Sequence, residues 1–283
     1  ALLVLTALFS TLSPFFLTKL NFANLFLQAA QLTTLAVALV FVILLAEIDL
    51  SAGVAAGVAM DIFYLATFAG VNWIPALGMS LLFGATIGLI LGFFVAKVGV
   101  PSFVITLAFY LALQGVALIL LGDGGLFRVD VPEVKSIMNE NLPAIGGWLL
   151  LLVMVLVMAG LDFYDRSRRT KNGLVNKPIS ILLIKIGTIA VAGSIVVSVL
   201  NENRSASVKA LAGVPIVIPI VVAIVFIGTF VLDRTRFGRH LMAVGGNPEA
   251  ARRAGIKVAR VRITAFIITS TLAVVAGLFH VSR

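Results

Sequence analysis

The chain has 283 residues, of which 61% are apolar and only 12% are charged. Soluble domains carry about 25% charged residues, so this composition excludes an ordinary soluble enzyme and indicates a membrane protein. Because the chain has no cysteine, a disulfide framework and a thiolate metal site are also excluded. The net charge of +9 lies in two stretches, residues 162–178 with five Lys or Arg and two acids, and residues 233–262 with eight and two. Basic loops between apolar spans are typical of cytoplasmic loops, which argues against a nucleic-acid surface.

Apolar runs long enough to cross a bilayer predict an all-α fold, a polytopic bundle of about nine spans that forms a single transmembrane domain over 1–283. The runs fall at about 1–18, 28–46, 51–69, 76–96, 101–121, 146–161, 179–199, 215–232 and 263–281. If the basic loops 162–178 and 233–262 face the cytoplasm, alternation places 122–145 and 200–214 outside and the N-terminus in the cytoplasm. The chain stops as a span ends, and we expect that a C-terminal part of the natural protein is absent.

Glu47, Asp49 and Ser51 interrupt a sequence that is otherwise apolar from residue 35 to residue 60. One interpretation is a turn at the cytoplasmic face, in which Asp49 or Ser51 caps a helix that begins near Ala52. The alternative is a helix break whose polar groups act in gating or line a transport path, since charges at bilayer depth are costly and are usually functional or paired. Spacing alone favours the cap.

Asp61 lies ten residues after Ser51, deep in the third predicted span. We expect it to line a water-filled cavity or to pair with a polar neighbour such as Gln114 or Lys185. A coupling acid is disfavoured, because a proton relay needs several acids and histidines and the sequence holds no such chain. Lys185 has a second interpretation, in which it snorkels toward the nearby basic loop.

Glycines four residues apart recur in two spans, as Gly53-x-x-x-Gly57 and as Gly84-x-x-x-Gly88 followed by Gly92. Small residues at this spacing let helix backbones approach closely in lipid. Packing inside one bundle is favoured over a dedicated dimer face.

Pro101 predicts a helix start, and Ser102 and Thr106 then lie four residues apart on one face of that helix. Their hydroxyls, with Gln114 further along, are candidates for contacts with a polar solute in a translocation path. The favoured interpretation is that the hydroxyls bond to carbonyls of their own helix.

The hydrophilic segment between the last two predicted spans has the pattern of a short capped helix. Asn247 is a good N-cap, Pro248 suits the first helical position, and Glu249 lies where the helix dipole favours an acid. Gly255 supplies a left-handed stop. Three glycines predict helix breaks on the approach, namely Gly238, Gly245 and Gly246. A helix this short is unstable alone, so we expect it to dock on a cytoplasmic partner, the alternative being a merely solvated loop.

No residue pattern indicates an enzyme. His240 and His280 are isolated and forty residues apart, so neither predicts a metal site or a catalytic triad. The sequence has no Walker A pattern, and we therefore predict that this chain has no ATPase site of that kind.

Three segments resemble the permease subunits of bacterial ATP-binding-cassette importers for monosaccharides, the ribose and xylose type. They are Glu47–Ser51, Val100–Leu107, and Arg234–Arg239 running into Gly245–Ile256. The stretch 162–214 and the Ala46-Glu47 pair, where many relatives have two glycines, resemble the xylose subgroup. Ala52 and Val54 depart from the Val and Ser usual in that family, and the family's C-terminal part is missing.

The resemblance implies an importer in the bacterial inner membrane, built from two permease chains, a cytoplasmic ATPase subunit and a periplasmic or extracellular sugar-binding protein. The segment 247–255 is then the coupling helix that lies in a groove of the ATPase, and no cofactor is implied. The coupling residues are Asn247, Pro248, Glu249, Ala250, Arg252, Arg253 and Gly255. Candidates for the translocation path or for gating are Asp49, Ser51, Asp61, Ser102, Thr106 and Gln114.

A permease of this kind, with a pentose as substrate, is the favoured hypothesis. The alternative is a self-sufficient secondary transporter or facilitator, which would need intramembrane ionisable groups for ion coupling, and Asp61 alone is thin support for it. An integral-membrane enzyme is disfavoured, because no His or paired-carboxylate cluster lies at a membrane face.

Overall fold

The computed structural model describes residues 2–122, 129–176, 178–205 and 211–282, and these residues are helical apart from turns and an isolated β-bridge between Asn141 and Pro215. The helices, numbered in chain order, are α1 Leu2–Leu12, α2 Lys19–Ile43, α3 Ala52–Phe68, α4 Trp73–Phe93 with a π-helical turn at Phe94–Val98, α5 Ser102–Leu121, α6 Pro132–Asn139, α7 Ala144–Lys171, α8 Ile179–Asn201, α9 Val217–Arg234, α10 Arg236–Gly246, α11 Pro248–Arg253 and α12 Val258–Val281.

Among the described residues, seven helices are long and apolar enough to cross a membrane, and α3 is a shorter apolar helix of 17 residues. The polytopic all-α fold is therefore confirmed, whereas the count of nine spans is wrong. The difference begins at residues 1–18, where α1 has 11 residues and is about 16 Å long, roughly half of a bilayer core. Pro14 lies two residues after the end of α1, and its ring cannot continue a helix. The next helix, α2, begins at Lys19 rather than near residue 28. The placement of the N-terminus in the cytoplasm was based on a crossing at 1–18, and it stays a prediction.

The chain divides into two compact units, of which the first comprises Ala1–Phe26 and Glu140–Ile216. Its main feature is a hairpin of α7 and α8, in which Gly193 leaves room for Leu151. Lys185 of α8 pairs with Asp162 of α7 at 2.8 Å. Asp162 is the first residue of the basic loop 162–178, so the Lys185 ammonium lies toward that loop.

The second unit comprises Leu27–Asn139 and Val217–Arg283, and α12 is its central helix, packed against α3 and α4. The glycine stripe of α4 makes this contact close. A Cβ added at Gly88 would lie 2.4 Å from the carbonyl oxygen of Phe266, and one added at Gly92 would lie 2.7 Å from the Cα of Ile263. The stripe therefore packs inside this unit, as the bundle interpretation expects.

The glycine pair on α3 behaves differently. A Cβ added at Gly53 or Gly57 would meet no described atom within 4 Å. The α3 face that carries both glycines is therefore open within this unit, while its opposite face, with Val58 and Phe63, is fully buried.

Candidate docking helix and the loop beneath it

α11 has the caps that the sequence predicts. The Oδ1 of Asn247 accepts hydrogen bonds from the backbone N–H groups of Glu249 at 3.0 Å and Ala250 at 2.9 Å. Pro248 occupies the first turn, and Gly255 ends the segment in the left-handed region with φ +83°. These features fix a six-residue helix that has little stability of its own.

One side of α11 is buried and the rest is open. Ala251 is 4% exposed, whereas Glu249, Ala250, Arg252 and Arg253 are all exposed. The carboxylate of Glu249 pairs with Arg252 at 3.2 Å, one turn along the helix. The open side of the helix is therefore charged, while the buried Ala251 packs against the rest of the chain.

The seat of α11 is an apolar cluster formed by four helices and the loop after α2. Its buried members are Phe41, Leu45, Leu241, Val244, Ala251, Val258, Val261 and Ala265. Since buried apolar area contributes about 25 cal/mol per Å², this cluster holds the short helix in a conformation that it could not keep alone.

α10 corrects the expectation that glycines break the helix before α11. It runs from Arg236 to Gly246 straight through Gly238 and Gly245, and the hydroxyl of Thr235 caps it by accepting from the N–H of Gly238 at 3.2 Å. Both glycines are in close contact with the chain: an added Cβ would lie 2.0 Å from the Leu232 carbonyl oxygen at Gly238 and 1.8 Å from that of Leu44 at Gly245. The signal for this helix was its apolar spacing, at Phe237, Leu241 and Val244.

The α2–α3 loop, residues 44–51, lies against this seat. The N–H of Glu47 bonds to the Val42 carbonyl at 3.1 Å and that of Ala46 to the Ile43 carbonyl at 2.9 Å, which together form a Schellman motif. Ala46 has φ +58° and is the only described non-glycine residue with positive φ. Glycine usually occupies this position because it has no Cβ, so Ala46 is strained in the left-handed conformation.

α3 begins at Ala52, as the sequence predicts, but its N-cap residue Ser51 makes no side-chain cap hydrogen bond, and Asp49 bonds to Ser51 just before the helix. The Oδ1 of Asp49 accepts from the N–H of Ser51 at 2.9 Å and from the Ser51 hydroxyl at 2.7 Å. Asp49 is 8% exposed, and its Oδ2 is buried without a hydrogen-bond partner. Burial raises the pKa of this carboxyl above its usual value, and the bonds from Ser51 and Ala52 oppose that shift in part.

Ser102 and Thr106 hold the backbone of the α2–α3 loop. The Ser102 hydroxyl accepts from the N–H of Ile48 at 3.1 Å, and the Thr106 hydroxyl lies 3.2 Å from the Ile48 carbonyl, to which it donates. Thr106 also bonds to the Ser102 carbonyl at 2.8 Å, as the favoured interpretation expects. Sequence reasoning missed the contact with Ile48, because the partners are 54 and 58 residues apart and nothing local indicates them.

Glu47 and Arg262 form an ion pair that sequence reasoning also missed. The Oε1 of Glu47 lies 3.3 Å from the Nε of Arg262 in the first turns of α12, and the two side chains are 12% and 25% exposed. The Nε makes no hydrogen bond, so the contact is an ion pair by distance rather than an aligned bond. Because both groups are shielded from water, the attraction is stronger than at an open surface.

The two remaining path candidates lie apart from this loop. Asp61 is half-buried on α3, two turns along the helix from the open Gly53 and one turn from the open Gly57. Gln114 is exposed on α5. The structure thus joins Asp49 to Ser51, and joins Ser102 and Thr106 to each other and to Ile48, the residue before Asp49. Asp61 and Gln114 belong to neither pair.

Comparison with known proteins agrees with a membrane transport component. The family described as "Branched-chain amino acid transport system / permease component" matches residues 21–283. The xylose transport system permease protein XylH of Escherichia coli (strain K12) is 33% identical over 95% of this chain and 66% of its own length. XylH of Haemophilus influenzae is 32% identical over 100% of this chain and 74% of its own length, and the ribose import permease protein RbsC of Escherichia coli (strain K12) is 28% identical over 100% and 68%. No solved structure matches the chain.

The fold thus defines a polytopic helical membrane protein. The chain belongs to the permease-component family named above, and its similarity to the xylose permeases covers nearly all of its length. It spans 66% of the length of the Escherichia coli xylose permease.

Proposed function

We propose that this chain belongs to the membrane-spanning subunit of an ATP-driven importer for a monosaccharide, a pentose such as xylose. The observation that carries the proposal is α11, a short helix capped at both ends, anchored by Ala251 and otherwise open. A short, exposed and charged helix fixed to its own chain fits a docking contact through which a separate motor subunit moves the membrane helices. The relatives named for xylose and ribose support a sugar rather than an amino acid.

The partners follow from the same proposal. A cytoplasmic ATPase subunit receives Asn247, Pro248, Glu249, Ala250, Arg252, Arg253 and Gly255 in a groove, and hydrolyses the ATP. A periplasmic or extracellular binding protein delivers the sugar and supplies most of the selectivity. A second copy of the permease completes the assembly, in the bacterial inner membrane.

The proposed topology places the two basic loops in the cytoplasm. Residues 162–178 and 233–262 carry net charges of +3 and +6 from their Lys, Arg, Asp and Glu counts, which favours the cytoplasmic side. α11 lies in the second of these loops, and the proposed topology puts this loop on the side where ATP is available.

Asp61 and Gln114 are the proposed polar contacts of the sugar path. A carboxylate within an apolar helix is costly in lipid, so the open, glycine-bearing face of α3 fits a water-filled path better than a lipid contact. Asp49 bonds to Ser51, and Ser102 and Thr106 bond to each other and to Ile48, so we propose gating rather than sugar contact for these four residues.

The test uses the transporter co-expressed with its ATPase and binding protein. Ala250 is exposed, so Ala250→Trp leaves the seat of α11 intact but fills the groove of a partner. We expect unchanged amounts of permease in the membrane, loss of ATPase co-purification, and sugar uptake at background.

A matched control and an opposing outcome complete this test. Glu133→Arg changes an exposed acid in the first turn of α6, and should leave both readouts unchanged. Normal ATP-dependent uptake by Ala250→Trp would contradict the proposal. Uptake by liposomes that hold only the permease, driven by a proton or sodium gradient, would favour a secondary transporter instead.

A further inference from the structure

The α2–α3 loop, residues 44–51, is held from two directions within the second unit. On one side it contacts the elements that seat α11, and on the other it contacts α5 and leads directly into α3. All of these contacts fall within the eight residues of the loop, whose backbone is largely fixed by its own hydrogen bonds.

The contacts on the α11 side are close and of three kinds. Leu45 shares the apolar cluster with Ala251 of α11. The Leu44 carbonyl oxygen lies 1.8 Å from the position that a Cβ of Gly245 would take, so α10 and the loop are in backbone-to-backbone contact. Glu47 pairs with Arg262 at 3.3 Å, in the helix that follows α11.

The contacts on the α5 side begin at the next residue. Ser102 and Thr106 bond to the N–H and the carbonyl of Ile48, which fixes the peptide groups on both sides of its Cα. Successive Cα atoms are held about 3.8 Å apart by a planar peptide bond. A displacement of Glu47 therefore moves Ile48 as well.

We propose that the α2–α3 loop transmits the movement of α11 to α3 and α5. Glu47 and Arg262 are positioning residues on the docking side, and Ser102 and Thr106 are positioning residues on the α5 side. The inference rests on the proposed function, because it assumes that an ATPase moves α11. It goes further by naming the residues that convert that movement into rearrangement of the helices.

The experiment measures sugar imported per ATP hydrolysed, in proteoliposomes that contain the complete transporter and its binding protein. Glu47→Gln and Arg262→Gln each remove the ion pair, and Thr106→Val removes the bond to the Ile48 carbonyl at nearly equal volume. Because the linkage and not the docking surface is altered, ATPase co-purification and total ATP hydrolysis should stay within about twofold, while sugar per ATP falls about fivefold to tenfold.

Two internal comparisons separate linkage from loss of folding. The double variant Glu47→Gln/Arg262→Gln should lose no more than either single variant, since both remove the same contact. Asp162→Asn breaks the 2.8 Å pair with Lys185 in the first unit and should leave sugar per ATP unchanged. Thermal unfolding in detergent verifies that every variant is folded.

The results against the inference are distinct from those against the proposed function. Sugar per ATP within twofold of wild type in Glu47→Gln, Arg262→Gln and Thr106→Val overturns the inference alone, and so does an equal loss in Asp162→Asn. If wild-type transporter hydrolyses ATP without importing any pentose, the proposed function fails and the inference fails with it.

Discussion

Ala46 is strained by the chain reversal that ends α2. Its φ of +58° lies in the left-handed region, where a Cβ crowds the following carbonyl at a cost of about 1–2 kcal/mol. The Schellman bonds of Ala46 and Glu47 hold it there, because giving them up would leave carbonyls at the end of α2 without partners.

Replacing this alanine should therefore stabilise the protein. Ala46→Gly is expected to raise the free energy of unfolding by about 1 kcal/mol, measured by thermal or SDS-induced unfolding in detergent. Ala112→Gly, at an exposed position inside α5, is the matched control and should lower it by a similar amount. A loss of stability in both variants would show that the left-handed conformation costs nothing.

Asp49 gives stability a dependence on pH with a definite sign. Burial raises the pKa of Asp49 in the folded protein, so folding disfavours the ionised form. The contribution of Asp49 to the free energy of unfolding is therefore most favourable below about pH 3.8, and it declines as the pH rises through the raised pKa. Asp49→Asn keeps the acceptor for Ser51 and removes the charge. We expect the variant to melt higher than wild type at pH 7, with a difference that shrinks as the pH is lowered toward 4. A difference independent of pH would contradict this origin.

At the scale of elements, the α4–α12 contact depends on the absence of side chains along one stripe. A Cβ at Gly88 would lie 2.4 Å from the Phe266 carbonyl oxygen and 2.6 Å from the Cα of Ile267, both backbone atoms that cannot turn aside. To relieve this clash the two helices must move apart, and neighbouring side chains then lose favourable van der Waals contacts.

Gly88→Ala should consequently destabilise the second unit, by about 1–3 kcal/mol on the scale of overpacked cores. Gly115→Ala is the control, since a Cβ at that position of α5 would meet no described atom within 4 Å. Unfolding in detergent compares the two variants. Equal stability of Gly88→Ala and wild type would mean that α4 and α12 are not in the contact described.

The same scale shows which elements the sequence could predict. The caps of α11 were predictable because Asn247, Pro248 and Gly255 act on neighbouring backbone, where local preferences decide. α10 was missed because its glycines were given more weight than its apolar spacing, and the contacts of Gly238 with Leu232 and of Gly245 with Leu44 are not visible in the sequence. The apolar run 1–18 misled for a further reason, since hydropathy averaged over it hides the break at Pro14.

At the scale of the whole molecule, hydropathy predicted the polytopic fold, and the motif resemblance predicted the family, because both are read along the chain. Neither revealed that the segment around Glu47 and the segment around Ser102 meet at Ile48, or that Arg262 pairs with Glu47. Such pairings arise from the arrangement of helices, and a serine or glutamate has many polar partners that would satisfy it equally well. Two motifs that the sequence presents separately are, in the structure, joined by hydrogen bonds to Ile48.

The absence of cysteine from the sequence makes the topology directly testable. Single cysteines can be placed at Ala254 beside α11, at Asn172 in the first basic loop and at Glu133 on α6, which are all exposed. Charge places the first two in the cytoplasm and the third outside. A membrane-impermeant maleimide added to intact spheroplasts should therefore label Glu133→Cys at once, and label Ala254→Cys and Asn172→Cys only after permeabilisation. Labelling of Ala254→Cys in intact spheroplasts would place α11 on the side without ATP, where no cytoplasmic motor could reach it.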